Sequence, residues 1–302
     1  MVRGILVCIG LMMSIQISYG QQSNKALEDT KLQTIPFELM DHNNLVIQVI
    51  LNDKDSLRFM FHTATSSLTV ISDHAESIVW DKEESVESWG GASNAKYSSN
   101  NSLSIGDYQW DSLAIWGNKN SGPTTDGKFG PNLFEDKVIE IDFDNSVINI
   151  HQSLPNKAKS YQKLAIKFEN GFMFIEGSSE IGTTHFTNQF LIHSGFGGTI
   201  LFDDETVKNQ QLNKLLKVTK EDELKDSYGN VIKTKKAVLP LLSIGDKKFK
   251  KLTVGFFEGA VGRQKMSVIG SELLKRFNII IDAKREYIYL KANGLAKIAF
   301  NE

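Results

Sequence analysis

From Thr34 onward the chain alternates short β-branched and aromatic runs with clusters of Gly, Asn, Asp and Ser. Leu45-Val-Ile-Gln-Val-Ile-Leu51, Leu57-Arg-Phe-Met-Phe61, Val138-Ile-Glu-Ile-Asp-Phe143, Val147-Ile-Asn-Ile150, Phe277-Asn-Ile-Ile-Ile-Asp282 and Tyr287-Ile-Tyr-Leu290 predict strands. Asp144-Asn145 and Ala283-Lys-Arg-Glu286 are the expected turns between the paired ones. Helical periodicity is confined to Asp204–Leu216 and Ser271–Arg276. An all-β protein with a few helical turns is predicted.

The pattern occurs twice. Phe59-Met-Phe-His-Thr-Ala64 lines up with Phe190-Leu-Ile-His-Ser-Gly195 at an offset of 131, and Leu103-Ser-Ile-Gly-Asp107 recurs as Leu242-Ser-Ile-Gly-Asp246 at an offset of 139. Lys128-Phe-Gly130 followed by Val138-Ile-Glu-Ile-Asp142 recurs as Val268-Ile-Gly270 followed by Asn278-Ile-Ile-Ile-Asp282, at an offset of 140. Three matches in one order at nearly constant spacing indicate a duplicated β unit. A polar stretch containing Pro155 joins the copies, which gives an N-terminal lobe over 34–151, a linker over 152–163 and a C-terminal lobe over 164–302.

The N-terminus follows a different rule. Met1-Val-Arg3 is a short basic start, Gly4–Ile17 is apolar, and Ser18-Tyr19-Gly20 places small residues around a cut before Gln21, so residues 1–20 read as a secretory signal and 21–33 as a tail. The apolar run is shorter than the roughly 20 residues of a spanning helix, so stable membrane insertion is not expected. The one cysteine, Cys8, leaves with that segment. Disulfide scaffolds and cysteine-ligated zinc are thereby excluded. With 34 Lys plus Arg against 36 Asp plus Glu, the net charge of −2 gives no bulk field for nucleic acid. A secreted protein, periplasmic or extracellular, is expected.

An apolar strand, a short loop of the form Asp-Thr/Ser-Gly, a glycine-bearing hairpin, and then an apolar-apolar-Gly turn leading to a final hairpin make up the layout of the aspartic peptidases. The order here resembles the pepsin and retropepsin superfamily over roughly residues 34–295. It is most similar to secreted bacterial aspartyl-protease-family proteins with two retropepsin-like halves in one chain. Phe190-Leu-Ile-His-Ser-Gly-Phe-Gly-Gly-Thr-Ile-Leu201 carries the resemblance best. It implies a bilobal acid-protease fold of two β-barrel halves with a cleft between them.

One substitution decides what the resemblance means for chemistry. The family supplies one aspartate per half, and this chain has His62 and His193 at those dyad positions. Two carboxylates about 3 Å apart share one proton, so one can activate water while the other protonates the scissile carbonyl. Imidazole titrates near neutrality and can act as acid or base, but it presents no pair of coplanar oxygens to hold the water. Thr63 and Ser194 match the hydroxyl residues that, in the family, cross-link the two loops. Gly195 keeps the second loop's glycine; Ala64 replaces the first, so a strained or shifted first loop is expected. Trp89-Gly90-Gly91 falls where the resemblance implies a substrate-covering flap, and its second-half counterpart Ser227-Tyr228-Gly229-Asn230 reads as an ordinary exposed turn.

His42, His74, His151 and His185 lack ligand-like spacing and are expected at the surface; the active loops offer too few further ligands for a metal, and no cofactor is expected. Asp142 and Asp282 read as turn carboxylates rather than replacement catalysts. The reading is therefore an aspartic-peptidase-like pseudoenzyme, expected as a monomer, that binds a peptide or protein in its cleft. The alternatives are a hydrolase using the histidine pair or a metal, and a structural or inhibitory protein acting through its outer surface.

Overall fold

The computed structural model describes residues 31–88, 91–229, 231–257 and 265–300. Each predicted strand is present, displaced by at most two residues at an end: Leu45–Leu51, Asp55–Phe61, Val138–Asp142, Val147–His151, Phe277–Ile281 and Tyr287–Ala292. The duplication is visible in strand order. In the first lobe, eight strands run Glu38–Leu39, Leu45–Leu51, Asp55–Phe61, Gly127–Phe129, Leu68–Ile71, Tyr108–Asn118, Gly91–Ile105, Lys82–Ser88. In the second they run Lys167–Glu169, Phe172–Ile181, Thr184–His193, Ser267–Gly270, Ile200–Phe202, Lys247–Phe257, Val231–Ile244, Val218–Lys225.

An extra pairing closes each sheet toward a barrel, Leu45–Leu51 with Gly91–Ile105 and Phe172–Ile181 with Val231–Ile244. Closing a sheet on itself removes exposed strand edges and lets alternate side chains fill the interior. The two repeated Leu-Ser-Ile-Gly-Asp segments end in matching hairpin turns, with Gly106 at φ +58 and Gly245 at φ +56. A side chain there would be strained, which explains why both copies carry glycine.

The lobes are joined by a third sheet to which both contribute. Its order is Lys31–Pro36, Val147–His151, Val138–Asp142, Phe277–Ile281, Tyr287–Ala292, Gln162–Ala165. The central strands Val138–Asp142 and Phe277–Ile281 are buried at every position, so both faces are covered. One face feeds Ile139, Ile141, Ile148, Ile150, Ile279, Ile281 and Ile288 into the main core. The other carries Val138, Ile280 and Tyr289 under the 3-10 helix Asn156–Ser160, through Ala158.

Helices are few among the described residues. Asp203 caps Asp204–Asn209 by accepting the Thr206 N–H. The expected longer helix is broken at Gln211, whose φ is +52, and restarts only as Leu212–Leu215; the third is Ser271–Leu274. Among these residues no helix is long and apolar enough to cross a membrane.

Two sequence expectations change at this level. His151 was expected at the surface and is buried at 3% exposure, with Nε2 at 2.8 Å from Glu140 Oε2. Glu140 is fully buried beneath the linker, and Lys157 of the 3-10 helix reaches its other oxygen at 2.5 Å. A buried carboxylate needs such partners, and His151 is recruited inward to supply one. His42, His74 and His185 are exposed as expected. Asp142 and Asp282 hold turns: Asp142 accepts the Asn145 N–H, and Asp282 Oδ1 accepts the N–H groups of Glu286 and Tyr287.

Candidate functional site

His62 follows the last residue of Asp55–Phe61, and His193 ends Thr184–His193. Each strand pairs in parallel with the apolar-apolar-Gly strand of its own lobe, Gly127–Phe129 or Ser267–Gly270, so the two imidazoles leave equivalent corners of the two sheets. They meet at the lobe interface, with ring centroids 4.6 Å apart and planes inclined by 59°. Both are buried, at 8% exposure.

The loops that present them are cross-linked symmetrically. Ser194 Oγ accepts the Thr63 N–H at 2.9 Å and donates to the Phe61 carbonyl at 2.7 Å. Thr63 Oγ1 accepts the Ser194 N–H at 2.9 Å and donates to the Ile192 carbonyl at 2.7 Å. Four buried hydrogen bonds thus fix each loop to the residue preceding the opposite histidine. Every donor and acceptor in the set has its partner, the condition under which a buried polar network adds rigidity.

Ala64 does not strain the first loop. It has no left-handed backbone, and the two loops close alike, with Thr65 N–H on the His62 carbonyl at 3.2 Å and Phe196 N–H on the His193 carbonyl at 3.1 Å. Glycine is needed at 195 for space rather than for φ. A Cβ there would lie 2.2 Å from Cδ2 and 2.3 Å from Nε2 of His62. The His62 ring therefore rests on the bare backbone of the other lobe's loop, whereas Ala64 packs at the edge of the Leu191, Leu201 and Val268 cluster.

A third nitrogen base belongs to the site and was missed in the sequence. Lys128 stands where the second repeat has Val268, in the apolar-apolar-Gly strand beside the histidines. Burial pushes its ammonium down to about 8, with Asp226 pulling it back up. Burial first, and then the Lys128 charge, holds His193 down at about 4. Burial, His193 and Lys128 together hold His62 well below the ordinary imidazole range. Both rings are thus neutral at pH 7, and an imidazole with a pKa near 4 is a weak general base there. His62 Nδ1 is buried and has no hydrogen-bond partner among the described residues. The departure from the repeat at Lys128 was the available signal, since a lysine at a position its copy fills with valine is under a different constraint.

The covering elements divide unequally. Lys82–Ser88 and Gly91–Ile105 form the first-lobe hairpin with Ser88 opposite Gly91; Trp89 and Gly90 lie outside the described residues. The second-lobe hairpin of Val218–Lys225 and Val231–Ile244 does not end in the exposed turn expected from sequence. Its turn crosses to the first lobe. The Ser227 carbonyl accepts the N–H groups of Lys119 and Asn120 at 2.9 and 3.1 Å, and the Asp226 carbonyl accepts Asn120 Nδ2 at 3.1 Å. Lys128 Nζ donates to Ser227 Oγ at 2.5 Å. Lys119 and Asn120 lie just beyond Tyr108–Asn118, where the sheet no longer supplies acceptors, so the turn's carbonyls satisfy them.

No family profile matches the chain, and no curated protein matches it by sequence. Among solved structures it is similar to an aspartic proteinase from Irpex lacteus, with a TM-score of 0.60 at 10% identity, over 89% of this chain and 99% of that one. An identity that low compares folds and not activities. Two like β lobes, an interlobe sheet and near-complete coverage of that proteinase agree on one architecture: the chain has the bilobal, pepsin-like fold of the aspartic proteinases.

Proposed function

We propose that this protein is a peptide- or protein-binding relative of the aspartic peptidases in which acid-dyad hydrolysis is lost and the cleft is kept. The imidazole pair carries the reading. Two neutral rings 4.6 Å apart replace the two carboxylates that would share a proton around a water. The Thr63 and Ser194 cross-links beneath them are intact, which favours a retained ligand site over general decay of the region. An extended peptide would add as a strand between the lobes, with main-chain hydrogen bonds giving affinity and side-chain pockets giving selectivity. The same reading takes residues 1–20 as a cleaved signal and puts the protein outside the cytoplasm as a monomer.

Incubation with a mixed peptide library from pH 3 to 8 tests the loss of hydrolysis, with no cleavage expected. Cleavage that survives chelators and disappears in His193→Ala would overturn it. The paired variant His62→Asp with His193→Asp asks whether the scaffold is otherwise competent, and acid-dependent cleavage is the expected gain.

A further inference from the structure

The sign of charge at the centre of the cleft specifies its ligand further, and this inference rests on the peptide-binding reading above. A site built around two carboxylates and one proton carries negative charge. Here the same place holds two neutral imidazoles and the Lys128 ammonium, whose positive charge is felt by both rings. Among the described residues the anion that acts on Lys128 is Asp226, on the second-lobe turn that also gives Ser227 Oγ to Lys128 Nζ. Asp226 is itself buried, at 9% exposure.

That turn supplies to Lys128 what a ligand would have to supply. Its backbone holds Lys119 and Asn120 by three hydrogen bonds, and its side chains satisfy Lys128. A group that is to bind Lys128 must displace it. Lifting leaves Lys128 without Ser227 and without the Asp226 charge, in a site where His62 Nδ1 already has no partner among the described residues. Leaving a half-buried cation without its partners is costly, so the entering group must restore what the turn provided. An amide or hydroxyl replaces the hydrogen bond alone. A carboxylate replaces both hydrogen bond and charge, and it offers a second oxygen to an imidazole N–H.

We propose that the cleft recognises an acidic side chain of an extended peptide, whose carboxylate displaces the Asp226–Gly229 turn from Lys128 and is held by Lys128 together with His62 and His193. The turn acts as a built-in competitor for the peptide.

The test uses the full chain and two blocked peptides, acetyl-Val-Ile-Glu-Val-Ile-amide and its Gln twin, in calorimetric titrations at pH 7, with the imidazole NMR signals of His62 and His193 followed in parallel. The Glu peptide is expected to bind at least tenfold more tightly than the Gln peptide. Lys128→Met should abolish that ratio, and Lys128→Arg should keep most of it. Ser227→Ala, which loosens the turn, should tighten both peptides. Equal affinity for the twins would overturn the carboxylate proposal while leaving the cleft reading standing. Binding of neither, with both imidazole signals unmoved, would overturn the two together. Glu-selective binding that persists in a folded Lys128→Met protein would locate the selectivity elsewhere and also refute the proposal.

Discussion

Lowering the pH from 7.5 to 4.5 charges a histidine in the unfolded chain that the folded chain keeps neutral. His193 lies near 4 when folded against an ordinary value of 6.5, because it is buried and faces the Lys128 charge. Its pKa is depressed, so its contribution to stability is fully present above 6.5, falls as the pH drops toward 4, and changes no further below that. Integrated between pH 7.5 and 4.5, the difference is about 2.5 kcal/mol. His62 adds to it in the same direction. In urea this corresponds to a midpoint lower by about 1 M at pH 4.5 than at pH 7.5, given a slope of about 2–3 kcal/mol per molar. Other groups titrate over this range as well, so the informative quantity is the difference between the native protein and His193→Asn. The variant should lose less stability between the two pH values, and the double variant with His62→Asn less still, since burial and the Lys128 charge keep His62 depressed after His193 is gone. Equal acid sensitivity of native and double-variant proteins would refute the assignment of the buried, neutral pair.

Thr63→Ala removes two cross-loop bonds and leaves the Ser194 N–H and Ile192 carbonyl buried without partners; a loss of about 3 kcal/mol in chemical denaturation is expected, with Thr63→Ser recovering most of it. Lys128→Val, which copies Val268 of the repeat, should raise the titration midpoints of both histidines by NMR. It should also remove the stability that Lys128 costs as the pH falls from 10.5 toward 8. Glu140→Ala leaves the buried His151 without its carboxylate and frees Lys157, and should cost about 3 kcal/mol, with the loss read as a lower thermal midpoint.

Much of this architecture is legible in the residues because the fold repeats itself. Strand positions follow from β-branched runs, and the Phe-Leu-Ile-His-Ser-Gly match places His62 and His193 at equivalent corners. The cross-links were predicted from Thr63 and Ser194 by resemblance, and the four hydrogen bonds are those a two-fold arrangement requires. What the sequence hid is asymmetric or long-range. Lys128 aligns with a valine, and the glycine that both segments share makes its own look like one more copy of the repeat. The Asp226–Gly229 turn has an ordinary turn composition, and only tertiary placement brings it to Asn120 and Lys128. His151 looks like any strand-end histidine until Glu140 is seen to be buried opposite it. Propensity reports local preference, and these three depend on which distant group needs a partner.

The shared sheet also constrains how the chain comes to be folded. Val138–Asp142 pairs on one side with Val147–His151 of its own lobe, and on the other with Phe277–Ile281 of the second. During synthesis the first lobe can complete its barrel early, yet one edge of this strand stays open until residues about 140 positions later emerge, an interval of about 7–28 s at 5–20 residues per second. An open edge of this kind, with Val138, Ile139 and Ile141 beside Glu140 and Asp142, is a template for pairing with other chains. The first lobe therefore reaches the end of its own folding with an unsatisfied strand, and its soluble yield depends on how quickly the last hairpin arrives to cover it.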